Sequence, residues 1–195
     1  MENKETSHGM TKKQGDSLVS LARQTIMDTL GVKNSNTKNE DILKDEIFQT
    51  NRGTFVTLHM NGQLRGCMGN LMGSETIKDG IKRNAINAAF HDPRFPGVKK
   101  NELKDIDVEI SILTKPERMD YKDGQDLIAR LRVNIDGVIL QKGVASATFL
   151  PQVWEQLPNP EEFLSHLCLK AGLTHDAWNS PGIEISTYQV QYFNE

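Results

Sequence analysis

The stretch "GTFVTLHMNGQLRGCMG", residues 53–69, limits the fold more than any other part of the chain. Asn61-Gly62 between two β-prone runs is a strong signal for a two-residue hairpin, because a type I′ turn needs positive φ at both central residues. At least one antiparallel pair is therefore built in. "IDVEISI", residues 106–112, alternates without fault and puts Ile106, Val108, Ile110 and Ile112 on one face of a half-buried strand.

Elsewhere the apolar spacing turns helical. Leu18, Leu21, Ala22, Ile26 and Leu30 predict a helix capped by Asp16 and ended by Gly31. "DILKDEIF" predicts a short second helix. Ser74 is the expected cap of a third, with Ile77, Ile81, Ala85 and Ala88 on its apolar face and its end near "FHDPRFP". Residues 124–131 and "PEEFLSHLCLKAG" predict two more, the latter with Phe163, Leu164, Leu167 and Cys168 on one stripe. "NIDGVILQKGVASATFL" reads as two strands around a turn near Lys142-Gly143. The tail "IEISTYQVQYF" reads as one strand, whose apolar phase shift between Ile185 and Tyr188 is expected to mark a bulge. With hairpins and no βαβ rhythm, the fold class is α+β, a mostly antiparallel sheet with flanking helices. Residues 1–15 are polar and aperiodic and are expected to form a disordered arm, with a single domain over 16–195. "KNSNTKNED", residues 33–41, reads as a polar connection.

Composition removes several function classes. Lys and Arg number 23 against 26 Asp and Glu, a net charge of −3, which disfavours a non-specific nucleic-acid clamp. No apolar run reaches the ~20 residues that span a bilayer, and the start lacks a signal-peptide core. Cys67 and Cys168 are too few for a disulfide framework and read as reduced thiols of a cytoplasmic protein. Neither their spacing nor that of the histidines matches a zinc site, so no metal is expected, and no motif requires a cofactor.

A strict two-residue hairpin pairs position 60 with 63, 58 with 65 and 56 with 67. Val56, Leu58, Met60, Arg65 and Cys67 then share one face, with Arg65 and Cys67 about 6.5 Å apart along the strand. Phe55, Thr57, His59, Leu64 and Met68 take the other face, which excludes His59 as a base for Cys67. Cys67 reads either as a small buried hydrophobe or as a thiol activated by Arg65. An arginine on an apolar face needs a partner, either a carboxylate of the fold such as Asp92 or an anion from outside. Gly66 and Gly69 mark a bulge or a close approach by a ligand. In "AINAAFHDPRFPG", Asp92 and Arg94 read as an ion pair closing a loop. Alternatively, His91 adds a proton carrier and Arg94 an anion contact to the hairpin's site.

"LRGCMG", "NAINAAFHDPRFP", "GVILQKG", "ATFLPQVW" and "FLSHLCLKAGL", in this order, resemble the AMMECR domain family (AmmeMemoRadiSam system protein A in prokaryotes). The resemblance runs from about Asp16 to the end. Met68 and Gly97 depart from it, where a branched aliphatic and a second proline are commoner. The resemblance implies a cytosolic α+β protein of two lobes, the larger built from the N- and C-terminal segments, with the hairpin motif by the cleft between them. It also implies partners of radical-SAM and Memo type and a role in basic information processing, without an established reaction.

Three readings follow. In the first, an anionic small molecule or acidic protein segment binds through Arg65, Gly66, Gly69 and Arg94. In the second, an enzyme or enzyme subunit uses Cys67 as nucleophile or redox thiol, with His91 as acid or base. In the third, the motif serves the fold of an interaction scaffold.

Overall fold

The computed structural model describes residues 9–32 and 42–195. In chain order its elements are α1 (Lys12–Thr29), β1 (Thr54–Met60), β2 (Gln63–Asn70), α2 (Ile77–Ile86), β3 (Ile106–Leu113), β4 (Glu117–Arg118), α3 (Gly124–Arg130), β5 (Gly137–Lys142), β6 (Ala145–Phe149), α4 (Pro160–Lys170), β7 (Glu184–Tyr188) and β8 (Val190–Asn194). The fold is α+β. One compact unit holds the residues up to Leu113 with Gln191–Glu195, and Thr114–Val190 form a second. Each contains a four-stranded sheet, ordered β2-β1-β3-β8 in the first and β4-β7-β5-β6 in the second. Among the described residues no helix is long and apolar enough to cross a membrane.

In the first unit Asn61 (φ 53°) and Gly62 (φ 73°) close β1 onto β2 as the type I′ turn requires. β1 is internal to the sheet, with β2 on one side and β3 on the other, both antiparallel. Its Val56 and Leu58 are fully buried and join Leu18, Ala22 and Ile26 of α1 and Ile77 and Ile81 of α2 in one core. The helical layer therefore covers one face of the sheet. The other face, with Phe55, Thr57 and His59, is half-buried.

Several expectations need correction here. α1 begins at Lys12 with Thr11 as its cap: the Thr11 hydroxyl accepts from the Gln14 N–H, and the Gln14 side chain accepts from the Thr11 N–H at 2.8 Å. Met10 is buried in the core, and a Cβ on Gly15 would overlap the Phe193 ring. The disordered arm thus fails for residues 10–15, whose polar turn is capped at one end and anchored by Met10. Residues 1–8 and the connection 33–41 lie outside the described residues. "DILKDEIF" forms two separate 3-10 turns, because the Asp45 carboxylate accepts from the Ile47 N–H at 3.1 Å and starts a new turn. Thr76, not Ser74, caps α2, and after Ile86 the chain widens into a π-helical turn, Asn87–His91. The tail is not one bulged strand. β7 and β8 belong to different sheets, and the phase shifts because each half buries a different core: Ile185 and Tyr188 in the second unit, Phe193 in the first.

The second unit closes around Trp154 and Phe163, stacked 3.6 Å apart at 6°. Val138, Leu140, Leu164, Leu167, Cys168 and Ile185 pack with them. The indole N–H of Trp154 donates to the Asp136 carbonyl at 2.7 Å, so the core also fixes the main chain that follows α3.

Candidate functional site

The register of the hairpin decides what it presents. Met60 pairs with Gln63 and His59 with Leu64, but Leu58 then pairs with Gly66, Thr57 with Cys67 and Val56 with Met68. Arg65 is the extra residue of a β-bulge, and everything beyond it moves by one. Cys67 therefore lies on the Thr57 face rather than the Val56 face, and the Thr57 hydroxyl donates to its Sγ at 3.3 Å. His59 shares that face, so the alternation that excluded it as a partner of Cys67 no longer applies.

Arg65 turns to the protein itself. Its Nε donates to Glu102 Oε1 at 2.9 Å and its Nη2 to Glu102 Oε2 at 3.3 Å. The side chains are 8% and 19% exposed, so Arg65 is buried and Glu102 partly so. The Arg65 guanidinium holds the Glu102 carboxyl below its ordinary range, with help from the Lys99 N–H. The internal carboxylate is thus Glu102, not Asp92. No hydrogen bond takes the Arg65 guanidinium to Cys67, as same-face geometry had predicted.

The glycines are explained by the chain's own atoms. A Cβ on Gly66 would overlap the Ala88 carbonyl oxygen of the π-helical turn, and one on Gly69 would overlap the Phe55 ring and the Thr54 carbonyl. The close approach foreseen from their type is therefore made by neighbouring protein, which fills the space a ligand would need at these two positions. His91 is exposed, and its Nδ1 lies 3.2 Å from Asn87 Oδ1 with no hydrogen bond to Cys67 or Arg94.

Asp92 and Arg94 are the residues that do reach Cys67. β2 is an edge strand, and Cys67 sits at a non-hydrogen-bonded pair with Thr57, so its main-chain N–H and C=O point away from β1. Asp92 Oδ2 accepts that N–H at 2.9 Å, and Arg94 Nη2 donates to that C=O at 3.3 Å. The two side chains pair with each other: Arg94 Nε to Asp92 Oδ1 is 2.9 Å, Arg94 Nη2 to Asp92 Oδ2 is 2.7 Å, and the Arg94 N–H also donates to Oδ1 at 3.1 Å. The Asp92 side chain is 2% exposed and that of Arg94 53%. The Arg94 hydrogen bonds hold the Asp92 carboxyl far below its ordinary range against the opposing effect of burial, and Asp92 in turn raises Arg94. A non-hydrogen-bonded pair also brings side chains close, about 4.5 Å between Cα atoms, which is why Thr57 reaches the thiol.

Sequence reasoning missed four residues of this neighbourhood. Thr57 and His59 lie on the face expected for them, but the unforeseen bulge had left Cys67 on the opposite one. Across β1 lie Glu109 opposite Thr57 and Asp107 opposite His59, on the same sheet face. Their signal was present in "IDVEISI", whose polar positions fall on the face opposite its isoleucines. Cys168, by contrast, is buried in the second core, which pushes its thiol up. Among the described residues no group of three or more His, Cys, Asp or Glu is placed to hold a metal ion.

These features define an α+β protein with an antiparallel sheet in each of two units and a cysteine pinned by an Asp-Arg pair on the edge hairpin of the first. A family model for AMMECR1 matches residues 19–193, and the chain belongs to that family. It is 41% identical over 188 residues to a protein of Methanothermobacter thermautotrophicus, covering 95% of this chain and 96% of that one. It is 40% identical over 188 residues to Mbar_A1807 of Methanosarcina barkeri, covering 95% and 92%. The crystal structure of the uncharacterised protein PH0010 of Pyrococcus horikoshii superposes with a TM-score of 0.79 at 32% identity, covering 95% of this chain and 93% of that one.

Two stability predictions follow from the ion pairs. Arg65→Ala is expected to cost about 2 kcal/mol, since it leaves a partly buried carboxylate without its two charge-assisted hydrogen bonds. Replacing both partners by apolar residues, Arg65→Met with Glu102→Leu, should recover much of that loss. Chemical denaturation of the three proteins checks this, and a loss under about 1 kcal/mol for Arg65→Ala would contradict it.

Asp92 sets a pH dependence whose sign is fixed. Its folded-state pKa is depressed, so its stabilisation is complete above the unfolded value of about 4 and is lost as acid protonates it in the fold. The urea midpoint of the wild type should fall between pH 7 and pH 3, as Glu102 reinforces. Asp92→Asn should be less stable at pH 7 by roughly 2 kcal/mol and show a smaller fall. An unchanged fall would rule out Asp92 as a source of it.

Proposed function

We propose that this chain is a binding module whose site lies around Cys67, and that it takes an anionic group, on a small molecule or an acidic protein segment, through Arg94. One observation carries the reading: the Arg94 guanidinium is half-exposed yet immobilised. Of its five N–H donors, Nε and both Nη2 hydrogens are engaged by Asp92 and the Cys67 carbonyl, while Nη1 has no hydrogen-bond partner among the described residues. A guanidinium already held in place loses little freedom when it binds, and its planar fork suits carboxylate or phosphate. Packing at 5.5 Å over the Phe95 ring steadies it further. Arg65 has no part in this reading, because its side chain is buried against Glu102 and only 8% exposed. Titration of inorganic phosphate and of succinate into nitrogen-15-labelled protein tests the proposal. Saturable shifts are expected at the Cys67 and Arg94 amides, with affinity at least about tenfold weaker in Arg94→Lys. No saturable shift at these amides, or equal affinity in the variant, overturns it.

A second reading, thiol chemistry at Cys67, is favoured by the corrected register. His59 is the diagonal neighbour of Cys67 on the same half-buried face, at about 7–8 Å between Cα atoms and within reach of an imidazole. Asp107 stands opposite His59 on β3 and in this reading orients the ring. In this reading His59 takes the thiol proton, and the sulfur displaces a leaving group. With iodoacetamide at neutral pH, Cys67 should then alkylate faster than Cys168, and His59→Gln should slow Cys67 several-fold. Equal rates for the two thiols, or a Cys67 rate unmoved in His59→Gln, overturns it.

A further inference from the structure

The second unit repeats the device found at Arg94. Asp136 is 1% exposed, and it is bound by Arg132 through the main-chain N–H (2.9 Å), Nε (3.2 Å) and Nη2 (2.6 Å). The Arg132 side chain stays 55% exposed, and Nη1 takes no hydrogen-bond partner among the described residues. The turn that places it is rigid, because the Asp136 carbonyl is tied to Trp154 in the core. Two further arginines line the same shallow depression of about 480 Å³. Arg130, at the end of α3, engages Asp126 through Nε at 2.9 Å and is half-exposed, and its terminal nitrogens take no hydrogen-bond partner among the described residues. Arg118 on β4 is 66% exposed, with Nη1 3.3 Å from Glu184 Oε1 and Nε 4.0 Å from Asp120 Oδ1. Three of the chain's eight arginines therefore face one concavity.

We propose that this depression, formed by Arg118, Arg130, Arg132 and the carboxylates Glu117 and Asp120, binds a phosphate monoester on a small hydroxylated carbon skeleton. Three guanidiniums with open donors match the three terminal oxygens of a phosphate monoester better than the two of a carboxylate. Glu117 and Asp120 on the same lining offer acceptors for the hydroxyls of a neutral skeleton beside the phosphate. The volume lies within the range of small-ligand sites. This site shares no residue with the one around Cys67 and stands independently of it.

Titration of glycerol 3-phosphate into nitrogen-15-labelled full-length chain tests the proposal, with glycerol and succinate as the comparison probes. Saturable shifts are expected at the Arg118, Arg130 and Arg132 amides for glycerol 3-phosphate, at least tenfold weaker for succinate and absent for glycerol. Arg130→Gln and Arg118→Gln, both at exposed positions, should each weaken binding about tenfold with thermal unfolding unchanged. Shifts confined to Cys67 and Arg94 overturn this site and leave the first one standing, and shifts confined to the three arginines do the reverse. Equal affinity for succinate, or binding unmoved in both variants, also overturns it.

Discussion

Asp92 carries a full charge inside the first unit, and such a charge is tolerable only because four hydrogen bonds converge on it, from Cys67, from the Arg94 main chain and twice from the Arg94 side chain. That convergence joins the end of the π-helical turn to the outer edge of β2. It satisfies the two main-chain groups of Cys67 that the sheet leaves open, and so blocks further strand pairing at that point. Pro93 assists by keeping Asp92 extended, at ψ 114°, where its carboxylate can turn back to the strand. The geometry at Cys67 depends on this carboxylate remaining ionised.

The bulge at Arg65 is the second constraint. By inserting one residue it sends Arg65 to Glu102 and turns Cys67 toward Thr57. Gly66 makes the bulge possible, since the Ala88 carbonyl occupies the place of its side chain. One extra residue thereby separates a structural arginine from a half-buried thiol.

A common arrangement links the two units. Asp92 with Arg94 and Asp136 with Arg132 each combine an almost fully buried aspartate with an arginine whose side chain is half in solvent. The buried partner fixes the guanidinium and leaves its outer edge open. The near-neutral composition conceals this, because the charges that matter are paired and local rather than in excess.

Local chemistry determined much of this protein from sequence alone. Asn61-Gly62 required the hairpin, the alternation of Ile106 to Ile112 set the core face of β3, and the apolar spacings of α1, α2 and α4 put their faces inward. Each is a matter of one residue's backbone preference or of a period along one element. Glycine type at positions 66 and 69 likewise announced close contacts. What fills those contacts was decided only by the tertiary structure, because Ala88 approaches from another element. The same holds for the choice of Glu102 over Asp92 as the partner of Arg65, for the bulge that changed the face of Cys67, and for the separation of β7 from β8. These depend on which surfaces meet across long sequence distances, and a free energy of packing between distant elements leaves no period in the sequence to read.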